Sequence, residues 1–342
     1  PTIIDLKKLN ILSYIENKKQ ISIDDINDEF NVSKGYLNIA MRCLYSINIL
    51  SIDKKDKFLD KKNYLINHKN LALILKSINT TDYLNLISFH LKFEKIINQK
   101  EDVNMVEINS INKIIQFLNE YKNQFNQNQF EKDLYYYLEG LLLGPILSHL
   151  GFLNISFINI KNQILNKVIV KIFKLTKLIN KNLNYTPKGL FFTQRTSSYG
   201  VTTSYLNLLN SLDLIISKKN NLVWERDKNG DEVHVNRSMN VWGSGGAHKF
   251  YFKKIDSIIL KIFNNENIEL QPKGIIDMGC GDGTFLKHCY DLIINNTYRG
   301  KNLDKYPLKL IGADINNAAR IATRNTLNKS NIDNIVIKGN IS

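Results

Sequence analysis

The chain has 342 residues, of which 43% are hydrophobic and 10% aromatic. That is enough to bury a core and to divide into two or three domains, and it excludes a disordered or collagen-like chain. Lysine and arginine number 46 against 32 acidic residues, a formal charge of +14, which invites a nucleic acid or another anionic partner. Seven of the 46 are Arg, and Ile, Asn and Tyr abound too, so the bias of an A/T-rich coding sequence is the competing account. Cys43, Cys280 and Cys289 form no CxxC or Cys/His metal spacing, which points to a reducing, cytoplasmic setting. The first eight residues lack a signal-peptide plan, and their missing Met suggests a piece cut from a longer chain.

In chain order, Leu6, Leu9, Leu12 and Ile15 mark one helical face. Ser22 with Asp24 and Asp25 opens a second helix ending near Phe30, and Ser33 caps a third reaching Ile49. Ile49–Ile52 and Phe58–Leu59 then flank a turn at Asp53–Asp56. Three short helices and a hairpin make a winged-helix-like module over 1–80. Its third helix offers Lys34 and Arg42 for phosphates but is otherwise rich in Leu, Ile and Met, which favours packing over base readout.

Residues 81–189 read as an α-helical lid or substrate region, with helical spacing through Tyr83–Ile97, Ile108–Phe125, Phe130–Leu143 and Ile160–Ile179. The run 123–129, rich in Asn and Gln, reads as a loop. The apolar stretch Leu134–Leu153 carries Glu139, His149, Pro145 and three glycines, so a buried helix pair is expected there rather than a membrane span. From residue 190 to 342 the pattern becomes strand, glycine turn, helix, strand, which is α/β territory.

The most specific string is Gly274-Ile-Ile-Asp277-Met-Gly279-Cys280-Gly281-Asp-Gly283-Thr-Phe-Leu286. An apolar strand ends in an acid, and alternating glycines then turn into a helix. Glycines let the backbone approach a ligand, and a helix N-terminus presents free N–H groups to polar atoms. Leu308–Asp314 is a second strand ending in an acid, suited to accepting two ribose hydroxyls. Ile335–Ile341 is a third, ending in polar Asn340. A dinucleotide fingerprint fits less well, because its glycines are spaced Gly-x-Gly-x-x-Gly.

Together these strings resemble the class I S-adenosylmethionine-dependent methyltransferases, with Asp277, Gly279, Gly281 and Gly283 at the four places of their first motif. The resemblance implies a Rossmann-like core in which this loop, Cys280 included, holds the methionine end of the cofactor. It implies Asp314 and Ile315 for the ribose side, and Asn340 and Ile341 for the adenine. There are two departures from the family pattern. Asp314 follows Asp277 by 37 residues where about 20 is usual, which a polar insertion near 295–306 explains, and Asn340 stands where Asp is more usual.

Tyr199–Leu206 and Asn240–His248, with Gly35–Ala40 and Tyr137–Gly140, further resemble the C-methyltransferase domains of polyketide synthase starter modules such as that of the apratoxin synthase. That likeness implies methylation of a malonyl-type unit on the phosphopantetheine arm of an acyl carrier protein. Neighbouring synthase domains, and a mononuclear metal such as Fe or Mn to steady an enolate, go with it. Neither nucleic acid nor a membrane is favoured as a partner. Within that reading His248 is the candidate base or metal ligand, against a plain helix-start histidine, and Ser244 and Gly245 are candidates for the cofactor carboxylate. His288 reads as structural. The family's sheet has about seven strands and this chain ends after the third, so only the first half of the core is expected here, with further metal ligands beyond Ser342. Two alternatives stay open: a stand-alone small-molecule O-methyltransferase that dimerises through its winged-helix module, and a non-enzymatic winged-helix DNA-binding regulator.

Overall fold

The computed structural model describes residues 1–52, 63–122, 128–219, 221–228, 232–265 and 267–339, the side chains of 246–250 excepted. The chain divides into two compact units, one of 1–194 with 205–225 and the other of 195–204 with 226–342. The expected division at 80/81 falls inside the first.

That first unit begins with α1 (Thr2–Lys8) and α2 (Ile11–Glu16). The sequence reads these as one helical face. Asn10 adopts the left-handed conformation (φ 60°), which a short polar side chain tolerates, and splits the face into two helices. β1 (Gln20–Ile21) and α3 (Ile23–Phe30) follow. Ser22 and Asp25 close a capping box at the start of α3, with the Asp25 N–H donating to Ser22 Oγ at 3.1 Å and the Ser22 N–H to Asp25 Oδ2 at 2.8 Å. α4 (Lys34–Ser46) ends three residues short of the expected Ile49.

β2 (Leu50–Ile52) and β3 (Tyr64–Ile66) complete a small antiparallel sheet of order β1-β3-β2. This is the winged-helix plan, with Tyr64–Ile66 as the return strand. The turn at 53–56 and Phe58–Leu59 lie outside the described residues. Leu12, Ile15, Ile26, Leu37, Met41 and Leu44 are fully buried at its centre.

The rest of the unit is helical: α5 (His68–Ser77), α6 (Thr80–Ile97), α7 (Met105–Tyr121), α8 (Gln129–Phe152), α9 (Gln163–Leu175), α10 (Pro187–Thr193), and, after the excursion into the second unit, α12 (Leu206–Leu209) and α13 (Leu212–Ile216). The expected helix pair over 134–153 is instead part of the single 24-residue helix α8, with Pro145 inside it. Among the described residues no helix is long and apolar enough to cross a membrane.

The second unit contains α11 (Ser197–Ser204), α14 (Arg237–Phe252) and α15 (Asp256–Phe263). Its βαβ core runs β4 (Gly274–Met278), α16 (Thr284–Asn296), β5 (Lys309–Asp314), α17 (Asn317–Asn328) and β6 (Ile335–Lys338). The three strands are parallel in the order β4-β5-β6, with Ile276 opposite Ile311 and Gly312 opposite Val336. Leu286 of α16 and Leu327 of α17 pack with Leu310 and Ile275, so both crossover helices cover the same sheet face. This is the strand order of one half of a doubly wound fold.

The polar insertion inferred from the long spacing between Asp277 and Asp314 is an ordered loop. Buried Arg299 clamps it, donating to Gln271 Oε1 (3.2 Å) and to the carbonyls of Ile268 (3.0 Å), Tyr306 (3.3 Å) and Pro307 (3.2 Å).

Candidate cofactor site

The site is built where β4 and β5 end. Gly279, Gly281 and Gly283 all take positive φ (81°, 57° and 76°), which glycine adopts at no steric cost. The Gly279 and Cys280 N–H groups both donate to Ala313 O, at 2.8 and 3.1 Å, which fastens the loop to β5. A Cβ at Gly279 would meet nothing within 4 Å, so the loop's bare edge faces open space. At Gly283 a Cβ would lie 3.0 Å from Thr323, and this glycine brings α16 against α17 instead.

The second strand's acid is part of the same wall. Asp314 is buried. Its Oδ2 accepts from the Gly281 N–H at 3.2 Å and its Oδ1 from the Asn316 N–H at 2.8 Å. Asp277, one strand over, has its carboxyl raised above the ordinary aspartate range, first by burial and then by the charge of Asp314. Cys280 is buried; its sulfur accepts from Thr323 Oγ1 at 3.2 Å, and burial raises its thiol pKa.

The third wall comes from α14, which lies on α11 by a glycine-to-glycine approach. A Cβ on Gly200 would sit 2.9 Å from the Trp242 ring, and one on Gly243 would sit 2.7 Å from Val201 N. The two distant strings Tyr199–Leu206 and Asn240–His248 are thus one packed crossing. Beside it runs a polar chain. Arg237 pairs with Glu232, and its Nη1 donates to Asn240 Oδ1 at 3.1 Å. Asn240 Nδ2 donates to Ser204 Oγ at 3.1 Å, and Ser204 Oγ to Val201 O at 2.6 Å. One turn on, Gly245 reaches the glycine loop so closely that a Cβ would fall 1.9 Å from Asp282 Oδ2.

These walls enclose a cavity of about 380 Å³. Of the residues singled out from sequence, Ser244, Gly245, Asp277, Gly279, Cys280, Gly281 and Asp314 line it. Gly283 does not, because it serves the helix packing just described. Ile315 does not either; it is 53% exposed, and its carbonyl, like that of Asp314, accepts from Arg320 Nη1. Asn340 and Ile341 lie outside the described residues. His248 lies on α14 one turn beyond Ser244, its side chain outside the described set.

The sequence reading missed Arg237, Phe252, Asp282, Phe285 and Asn316, all of which line the cavity. Asp282 and Phe285 stand inside the glycine string, and Asn316 two residues past Asp314. Only Arg237 and Phe252 had no neighbouring signal.

Phe252 and Phe285 pack at 5.0 Å between ring centroids. Behind them His288, whose ring stands 5.6 Å from Phe252, bonds through Nε2 to Asp256 Oδ1 at 2.7 Å and pins α15 to α16. Among the described residues no group of three His, Cys, Asp or Glu side chains is placed to hold a metal ion.

One family model spans the residues of this cavity. Residues 232–342, which contain every described residue lining it, match the AprA MT2-like methyltransferase domain. Residues 1–52 match the AprA N-terminal domain, and 139–219 the AprA winged helix domain. Three AprA-type models thus match successive parts of the chain, a methyltransferase domain among them. The winged-helix name and the winged-helix geometry fall on different residues: the helices and small sheet lie within 2–66, whereas 139–219 is helical but for one isolated bridge, Ile179 to Tyr185. No curated protein matches the chain.

Proposed function

We propose that the second unit binds S-adenosylmethionine in this cavity and directs its methyl group to a carbon of a malonyl-type unit carried on an acyl carrier protein, within a polyketide synthase. The observation that carries the reading is the cradle itself. Two positive-φ glycines, Gly279 and Gly281, leave backbone bare at the end of β4, beside a buried acid at the end of β5, the arrangement that holds nucleosides at the carboxyl ends of parallel strands. When bound, S-adenosylmethionine supplies a methyl group made electrophilic by its sulfonium.

The chain's own residues bind and orient. Asp314, whose two oxygens now accept backbone N–H groups, would accept the ribose hydroxyls. Asp277 and Asp282 supply negative charge for the ammonium and sulfonium. Phe252 and Phe285 keep water from one side, and alignment of donor and acceptor carbon is the main contribution left to the protein. His248, one turn beyond Ser244, is assigned the removal of the acidic proton between the two acyl carbonyls. No metal step is invoked.

Intact-mass analysis of malonyl-loaded carrier protein, incubated with the protein and S-adenosylmethionine, tests this. The expected result is a gain of 14 Da that H248Q abolishes while titration calorimetry still shows cofactor binding. Binding without transfer to any malonyl-type acyl carrier would remove the substrate assignment.

A further inference from the structure

The cavity's charges are unevenly spread. Its described lining includes three carboxylates, Asp277, Asp282 and Asp314, and a single cation, Arg237. A guanidinium has five N–H donors. Among the described residues Glu232 and Asn240 each take one, which anchors the group and leaves donors over, and its Nε is buried with no acceptor there.

An amino-acid ligand carries one carboxylate and one ammonium. The three aspartates favour the ammonium and repel the carboxylate, so the carboxylate has one favourable wall, that of Arg237. Resting on the S-adenosylmethionine reading above, we infer that Arg237 is the carboxylate clamp of the cofactor's amino-acid end. Its guanidinium fixes that end against α14 while Asp314 holds the nucleoside at β5.

Anchorage supports the role. The chain Glu232–Arg237–Asn240–Ser204 holds the guanidinium at both ends before any ligand arrives, so little side-chain freedom is lost on binding. A guanidinium serving only to pair with Glu232 would not need to line the cavity.

The test compares two ligands on the full chain by titration calorimetry: S-adenosylmethionine and its decarboxylated form, which keeps the sulfonium and ammonium and lacks only the carboxylate. Wild-type protein is expected to bind the decarboxylated ligand about 10- to 100-fold more weakly, the range for a charge-assisted hydrogen bond. R237Q is expected to weaken S-adenosylmethionine by a similar factor and leave the decarboxylated ligand unchanged. R237K, which keeps the charge but not the fork, should fall between and guards against a folding defect in R237Q.

Equal weakening of both ligands by R237Q and R237K, or no weakening of either, overturns the clamp. Wild-type protein that binds neither ligand overturns the cofactor reading and the clamp with it, whereas wild-type binding unaffected by the loss of the carboxylate overturns the clamp alone.

Discussion

Asp277 is a carboxylate that burial and a like charge push toward its neutral form, in a site that, on the S-adenosylmethionine proposal, needs it ionised to attract a cation. Its pKa is raised on folding, so the native state holds its proton at pH values where the unfolded chain has lost it. The contribution to stability is therefore fully present below the unfolded pKa and is lost as pH rises through the folded one. Cofactor affinity runs the other way. Acidification should weaken binding from a pH above the ordinary aspartate range, and D277N should flatten that profile while lowering affinity at neutral pH, as titration calorimetry across pH would read. Gly245 gives a second prediction at this scale. A methyl group there overlaps the Asp282 carboxylate and drives it off the Thr284 N–H, to which it is bonded at 3.0 Å. G245A should cost about tenfold or more in affinity, roughly one charge-assisted hydrogen bond, with a melting temperature near that of wild type. A melt lowered together with affinity would show that the contact holds the fold rather than the ligand. The glycine string and the acid ending β5 were readable because such residue types at strand ends have few other uses. Arg237 was not, since a lone arginine far upstream of the loop reaches the cavity only through the packing of α14.

Between elements, the crossing of α11 and α14 is the most demanding contact described. Gly243 faces the α11 backbone and Gly200 faces the Trp242 ring, so a methyl added at Gly243 has nowhere to go. G243A is expected to destabilise the second unit by about 1–3 kcal/mol, the usual cost of overpacking, and to loosen Arg237 and Asn240 with it. Differential scanning calorimetry should therefore show a lowered transition together with weaker ligand binding. A variant as stable as wild type would mean that the helices can part without cost. The long helices were legible from three-and-four spacing, but their breaks and lengths were harder to read. Asn10 splits a continuous apolar face by adopting a left-handed backbone, and α8 runs through Pro145 where a break was expected. Apolar periodicity records which side is buried and is silent on local backbone choices of this kind.

At the scale of the molecule, the parallel sheet is covered on one face only among the described residues. Ile276, Met278, Ile335 and Ile337 project from the other, between 47% and 62% exposed, whereas parallel sheets are ordinarily covered on both. A face of this kind should bind an apolar dye. The fluorescence enhancement of 8-anilinonaphthalene-1-sulfonate with the chain should fall by half or more in I276K/I337K, and an unchanged signal would place the dye elsewhere. The +14 charge is best tested apart from that surface, through the salt dependence of carrier-protein association. The division of the chain into its two units has a consequence for synthesis. Residues 195–204 belong to the second unit, yet 205–225 return to the first before the second resumes. On the ribosome α11 emerges well before the helix against which its glycine packs, and must wait while the intervening stretch completes another body. Cutting the gene at 225/226 would therefore yield the second unit without one of its own helices, and a split complementation pair would assemble only if the missing strip were supplied with the later piece.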